Sequence, residues 1–193
     1  MPIRAVGESV TEYRWLFSFR WIDDIDAERA RQRFTLNYRF TDRFQAGLEL
    51  NPLADDYGPL ANLIVLTETE KRPALMVGTS SDRIGTESGQ AYFGTLSKSL
   101  EPLVGLPASP YVGVSFADKH DDWEFIAGLN YRLLEQRLSV THLWDGENLH
   151  TTLDVPWRNH NFGIVIAHQQ DDEGGDRSVD EGIFLGLTYG LRF

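Results

Sequence analysis

From Tyr13 to Trp21 every odd-numbered residue is aromatic (Tyr13, Trp15, Phe17, Phe19, Trp21), while Arg14, Leu16, Ser18 and Arg20 occupy the even positions. Side chains of a strand point alternately to its two faces, so this period of two puts the rings on one side and both guanidinium groups on the other; a helix would scatter the two sets around its circumference. A face of that kind needs an apolar medium against it. Either it looks into the enclosed core of a sandwich or soluble barrel, or it looks out at lipid, with tryptophans near the strand ends acting as interfacial anchors.

The same pattern returns along the chain. Phe34, Leu36, Tyr38 and Phe40 alternate with Thr35, Asn37 and Arg39; Thr41-Asp42-Arg43 reads as a turn, after which Phe44, Ala46, Leu48 and Leu50 alternate with Gln45, Gly47 and Glu49. Two such runs joined by a short polar turn form a hairpin with a shared inside and outside. Trp123, Phe125, Ala127, Leu129 and Tyr131 stand against Glu124, Gly128, Asn130 and Arg132, and Leu138, Val140, His142 and Trp144 against Arg137, Ser139 and Thr141. Phe162, Ile164, Ile166 and His168 oppose Asn161, Gly163, Val165 and Ala167. The last run sets Ile183, Leu185, Leu187, Tyr189, Leu191 and Phe193 against Gly186, Thr188, Gly190 and Arg192. Between 60 and 117 the alternation weakens, with segments near 60–69, 73–80, 91–100 and 110–117 mixing Ile, Leu, Gly, Ser and Thr on both faces. That stretch reads as ordinary irregularity or as a flank packed on a partner protein.

The connections sort into two sets. Those at 23–31, 52–59, 81–90 and 169–182 are longer and rich in Asp, Glu and Gly, with 118–122 and 145–148 as shorter members; those at 41–43, 70–72, 134–136 and 156–159 are tight, and 101–109 is a longer turn among them. The sets alternate along the chain, as an up-and-down meander requires. The expected fold is all-β: a transmembrane antiparallel up-and-down β-barrel of about twelve strands, or ten if two central segments merge, with both termini on the short-turn side. Without a linker or a break in composition, residues 1–193 read as one domain.

Composition narrows the function classes. No run of about eighteen apolar residues occurs, which excludes a helical membrane span; a barrel strand shows lipid only every second residue and escapes that test. A formal net charge of −11 argues against nucleic acid or any polyanion as partner. Of the eighteen basic residues only Lys71, Lys98 and Lys119 are lysines, a bias towards planar multi-donor groups that pair with carboxylates in confined places. With no cysteine, disulfides and thiolate metal sites are ruled out, and no motif asks for a cofactor. Met1 to Val10 lacks the basic start and apolar core of a signal peptide, so the numbering is expected to begin at the processed protein or at an added Met.

Leu187-Thr188-Tyr189-Gly190-Leu191-Arg192-Phe193 resembles the C-terminal signature of bacterial outer-membrane β-barrels, an alternating apolar strand ending the protein on an aromatic residue. The match covers about one strand. It implies that the segment is read by the barrel-insertion machinery and then closes against the first strand, and that the protein resides in the bacterial outer membrane, in contact with the bilayer and lipopolysaccharide, both termini periplasmic.

The inward-facing set of such a barrel is Arg14, Arg20, Arg39, Glu49, Glu68, Glu124, Arg132, Arg137, Asp154, Arg158 and Arg192. Both signs are present, which suits either a charged constriction selecting small polar solutes or ion pairs that plug the interior; twelve strands lie between a side-chain-filled barrel and an open pore. Tyr13, Trp15, Trp21, Trp123, Trp144, Tyr189 and Phe193 are the candidate membrane-interface aromatics. The leading expectation is a narrow porin-like channel. A scaffold barrel in a larger envelope assembly is the alternative, and a lipid-modifying enzyme acting through His142 a third. Alternation points His142 and His168 outward but His150 and Ser139 inward, and no nucleophile motif surrounds any serine, so a triad is not expected. His120 and His160 fall in connections. A soluble lipocalin-type barrel is the structural rival. The acidic loops Asp23-Asp24-Ile25-Asp26, Asp55-Asp56 and Asp171-Asp172-Glu173, with Asp176, Asp180 and Glu181, lack the spacing of a calcium loop and read as solvated, or as bridged to lipopolysaccharide phosphates by loosely held divalent cations.

Overall fold

The computed structural model describes residues 13–23, 25, 28–81, 89–118, 121–135, 137–169 and 182–193. Its strands are β1 (Trp15–Ile22), β2 (Gln32–Arg39), β3 (Phe44–Asn51), β4 (Asp56–Leu66), β5 (Ala74–Ser81) and β6 (Gln90–Ser97). They continue as β7 (Ala108–Ala117), β8 (Asp122–Leu133), β9 (Leu138–Trp144), β10 (Leu149–Trp157), β11 (His160–Gln169) and β12 (Gly182–Arg192). Each strand pairs antiparallel with its sequence neighbours, and β12 returns to β1, giving a closed twelve-stranded up-and-down barrel. The remaining regular structure is two four-residue helices, α1 (Glu28–Arg31) and α2 (Glu101–Val104), and a 3-10 turn at Pro52–Ala54. Closure satisfies what would otherwise be two open sheet edges: Arg20 lies opposite Thr188 and Phe19 opposite Tyr189, and beyond the strand ends Trp15 and Phe193 exchange two backbone hydrogen bonds of 2.8 and 3.0 Å.

Burial says which face is inside. Thr35, Asn37, Glu49, Asn51, Thr95, Ser97, Ser115 and His150 are buried, whereas Leu36, Leu48, Leu50, Leu63, Val112, Val114, Phe125, Ile164, Leu185 and Leu187 are exposed. Most of the buried polar residues therefore lie inside and the large apolar ones cover the outer wall, against the trend of a soluble globule, although Ile22, Leu60, Val165 and Ala167 are buried as well. The start of β1, Phe193 and the connections 40–43, 67–73, 98–107 and 158–159 share one end, the near end; the last residues of β1, β3, β5, β7, β9 and β11 lie at the other, the far end.

The central strands explain the weak alternation there. Register places Asn62, Ile64, Met76, Gly78, Phe93, Thr95, Tyr111, Gly113 and Ser115 on the interior face, so apolar side chains stand on both faces of β4 to β7. A register shift between Ile64 and Leu66 adds a bulge, which moves the pattern by one residue. Glycines opposite the large interior rings make this possible: a Cβ on Gly128 would overlap the Tyr111 ring, and one on Gly78 would overlap the Phe93 ring, so each ring lies flat along the wall over its cross-strand neighbour.

Three boundaries differ from the sequence reading. The expected 52–59 loop shrinks to a tight connection, because Tyr57, Gly58 and Pro59 already pair with Leu50, Glu49 and Leu48. Pro156 and Trp157 belong to β10 and pair with Asn161 and His160, leaving only Arg158 and Asn159 as the turn. His160 thus opens β11 instead of lying in a connection. Most of the expected loops at 81–90 and 169–182 lie outside the described residues, as do His120, Asp24 and Asp26.

Candidate functional site

The far half of the interior carries the densest charge. Arg20 on β1 and Arg33 on β2 are directly opposite in register, and both point inward with Glu49, Asn51 and Asp56. Arg33 makes an ion pair with Glu49 through Nη2, and the same nitrogen donates to Ser80 Oγ on β5 at 3.1 Å. A β2 side chain that meets β5 has crossed the interior in front of two strands, so this pair forms a bridge across part of the barrel. Glu49 is 1% exposed, and its Oε1 accepts a 3.0 Å hydrogen bond from Asn51 Nδ2. A buried carboxylate needs this many donors to offset its lost hydration.

At the far end, Ile25 and α1 pack against the barrel. Ile22 and Ile25 are fully buried and pack with Ala30, Val165, Ala167 and Phe184, an apolar cluster formed by inward-facing residues of β1, β11 and β12 with α1. Arg29, 5% exposed, pairs with Asp56 at 2.7 Å and donates to the Gly89 carbonyl at 2.6 Å. Arg31 donates to the Ile25 carbonyl at 3.0 Å. On the opposite side, Asp145 Oδ2 meets His150 Nε2 at 2.7 Å, while Asp145 Oδ1 caps the connection by accepting from the Glu147 and Asn148 amides at 3.2 and 2.8 Å.

The near half is lined differently, by small hydroxyl and amide groups that bond along the wall. Ser18 and Thr35 hydroxyls lie 2.6 Å apart; Asn130 Nδ2 donates to Ser139 at 2.9 Å and Thr141 at 2.7 Å; Asn161 Nδ2 donates to Asp154 at 2.8 Å.

The expected inward set therefore divides. Arg20, Arg39, Glu49, Glu124, Arg132 and Asp154 sit at interior-facing strand positions, with Arg192 exposed at the near rim. Arg14, Arg137 and Arg158 do not line the interior, while Glu68 lies at the near end and accepts a 3.1 Å hydrogen bond from the Ser99 amide. Arg14 precedes β1 and donates outward to the Tyr38 hydroxyl at 3.3 Å; Glu68 lies in the β4–β5 connection, where it meets Lys98 at 3.5 Å. Arg137 is exposed in a turn, and Arg158 sits over the Trp157 ring at 5.3 Å. Alternation carried past the strand ends does not place Arg14, Arg137 and Arg158, because a side chain at the rim is free to bend over it. Arg29, Arg31, Arg33 and Asp56 were missed, having stood in or beside what read as a loop.

The aromatic residues form two belts on the outer wall. Trp15 and Tyr38 meet edge-on at 4.8 Å and Trp15 stacks on Phe193 at 6.4 Å at the near end, where Tyr13 is also exposed. Tyr189 accepts or donates a 2.9 Å hydrogen bond with His160, beside Trp157. Trp21, Trp123 and Trp144 lie at the far ends of β1, β8 and β9, with Trp123 packed against Phe116 at 5.3 Å. On the outer wall between the belts, His142 Nδ1 lies 2.9 Å from Thr151 Oγ1 and its Nε2 3.3 Å from the Tyr131 hydroxyl. Both ring nitrogens are thus engaged, and the third member is a phenol where a hydrolytic triad would place a carboxylate. Among the described residues no cluster of His, Asp and Glu is arranged to hold a metal ion. No protein-family model matches the chain, and no curated protein matches it.

Proposed function

We propose that this chain is an outer-membrane β-barrel that conducts small polar solutes through a narrow interior, with both termini periplasmic and the far-end connections facing lipopolysaccharide. The observation that carries the reading is the outer wall: an apolar band bounded at both ends by aromatic belts that include all five tryptophans, the distribution expected where rings sit at two lipid–water interfaces. Several strands are of membrane-crossing length, β4 and β12 having eleven residues and β7 and β11 ten, against the about ten tilted residues a bilayer needs. The narrow bore rests on the Arg33 bridge to Glu49 and Ser80 and on the buried side chains of Ile25 and Arg29. Insertion by the barrel-assembly machinery through the Leu187–Phe193 strand belongs to the same reading.

Single-channel recording in planar lipid bilayers tests it. Discrete openings of small conductance are expected from protein folded in detergent; a folded preparation that never opens, or a monomer that stays dispersed in detergent-free buffer, overturns the proposal. The same crosslinked far mouth favours a second reading, a closed scaffold barrel within an envelope assembly, which predicts silence in the bilayer together with a stable co-purifying protein.

A further inference from the structure

Like charges directly opposite one another on adjacent strands repel, yet Arg20 and Arg33 occupy such a pair inside the barrel. For Arg33 the cost is offset by Glu49. Arg20 has no carboxylate of its own: among the described residues it feels the attraction of Glu49, the carboxylate that Arg33 already holds, and its buried Nε lacks an acceptor. The acids within the far half are already engaged. Glu49 is held by Arg33 and Asn51, Asp56 by Arg29, and Asp145 by His150 and two amides. Among the described residues around the bridge, Arg20, Arg29, Arg31 and Arg33 stand with Glu49 and Asp56, four cations to two anions in a chain whose overall charge is −11. An unpaired guanidinium in a confined site is costly unless something fills it, and its planar fork is matched to an oxyanion with two acceptor oxygens.

We propose that Arg20, supported by Arg33 directly opposite it in register, is the binding site for a small oxyanion, a carboxylate or a phosphate, in the far half of the interior. It rests on the polar-solute reading of the interior and names the solute class. Entry of the anion would complete the charge pattern that Glu49 and Asp56 leave unfinished, and its oxygens would take the Arg20 Nε donor that now lacks an acceptor.

The test is isothermal titration of the detergent-folded barrel with inorganic phosphate and, separately, with acetate, against Arg20→Gln, Arg20→Lys and Arg158→Gln. Saturable binding of at least one probe is expected, weakened tenfold or more in Arg20→Gln and several-fold in Arg20→Lys, which keeps the charge but loses the fork, and unchanged in Arg158→Gln at the exposed turn. Preference for phosphate or for acetate distinguishes the two sources of oxyanion. Removing an unsatisfied charge should leave the urea midpoint of Arg20→Gln equal or higher, so loss of binding is separable from loss of fold. No saturable binding of either probe, or binding indifferent to Arg20, overturns the site. Arg20-dependent binding in a barrel that never conducts removes the pore and keeps the site; openings whose anion preference is untouched by Arg20→Gln keep the pore and remove the site.

Discussion

Glu49 is the residue on which the interior charge turns, since it is almost wholly buried and stands between Arg33 and Asn51. Glu49→Ala should cost about 3–5 kcal/mol, because it strands Arg33 beside Arg20 with no carboxylate between strands; urea unfolding in lipid vesicles or micelles measures it, and an unchanged midpoint would show the ion pair to be idle. A second prediction concerns packing. Gly128→Ala should lose about 1–3 kcal/mol by driving a methyl group into the Tyr111 ring, and the double variant with Tyr111→Ala should unfold no earlier than Tyr111→Ala alone. Glu49 was legible from alternation, but its partner was not: Arg33 precedes the first apolar residue of its run, and Gln32, a polar residue on the outer face opposite Trp21, hides the fact that the strand has already begun.

At the scale of elements, α1 is a single helical turn and would not persist in isolation; it is held by the apolar cluster around Ile25 and by the two contacts of Arg29. Arg29→Ala should therefore free the segment after β1 while leaving the strands paired. The expected readout is faster trypsin cleavage after Arg31 in the folded protein with little change in the global unfolding transition, and equal cleavage rates in the two proteins would refute it. The strands β1 to β3 and β8 to β12 could be read from period two alone, although Ile22, Val165, Ala167 and Phe184 put apolar side chains on the inner face of β1, β11 and β12 at the far end. Those from β4 to β7 could not, because Leu60, Ile64, Met76 and Phe93 put apolar bulk on the interior side as well, and because Pro59 and Pro156 look like strand breakers although each sits within a paired strand. A proline whose missing donor falls at a position that can spare it leaves no mark in the sequence.

For the molecule as a whole, the outward apolar wall makes a prediction of its own. Leu48, 59% exposed and flanked in register by Leu36 and Pro59, lies midway along β3; Leu48→Arg should cost about 2–4 kcal/mol when the barrel is folded into lipid, measured by urea titration in vesicles, and a neutral effect would argue that this side of the wall meets protein or water instead. The number of strands and their up-and-down order followed from the alternating long and short connections, whereas the closure of the ring could only be inferred by resemblance. That closure has a consequence for how the cylinder comes into being. Because Trp15 and Phe193 are main-chain partners, the ring closes only when β1 and β12 are both in place, and until they meet the sheet keeps two open edges. The finished ring in turn keeps no memory of where its thread began: a permuted gene that splices Phe193 to Tyr13 through a short linker and opens the exposed turn at Glu101–Val104 should seal into the same cylinder, while deleting β12 leaves a sheet with two raw margins that can only seek partners in other molecules.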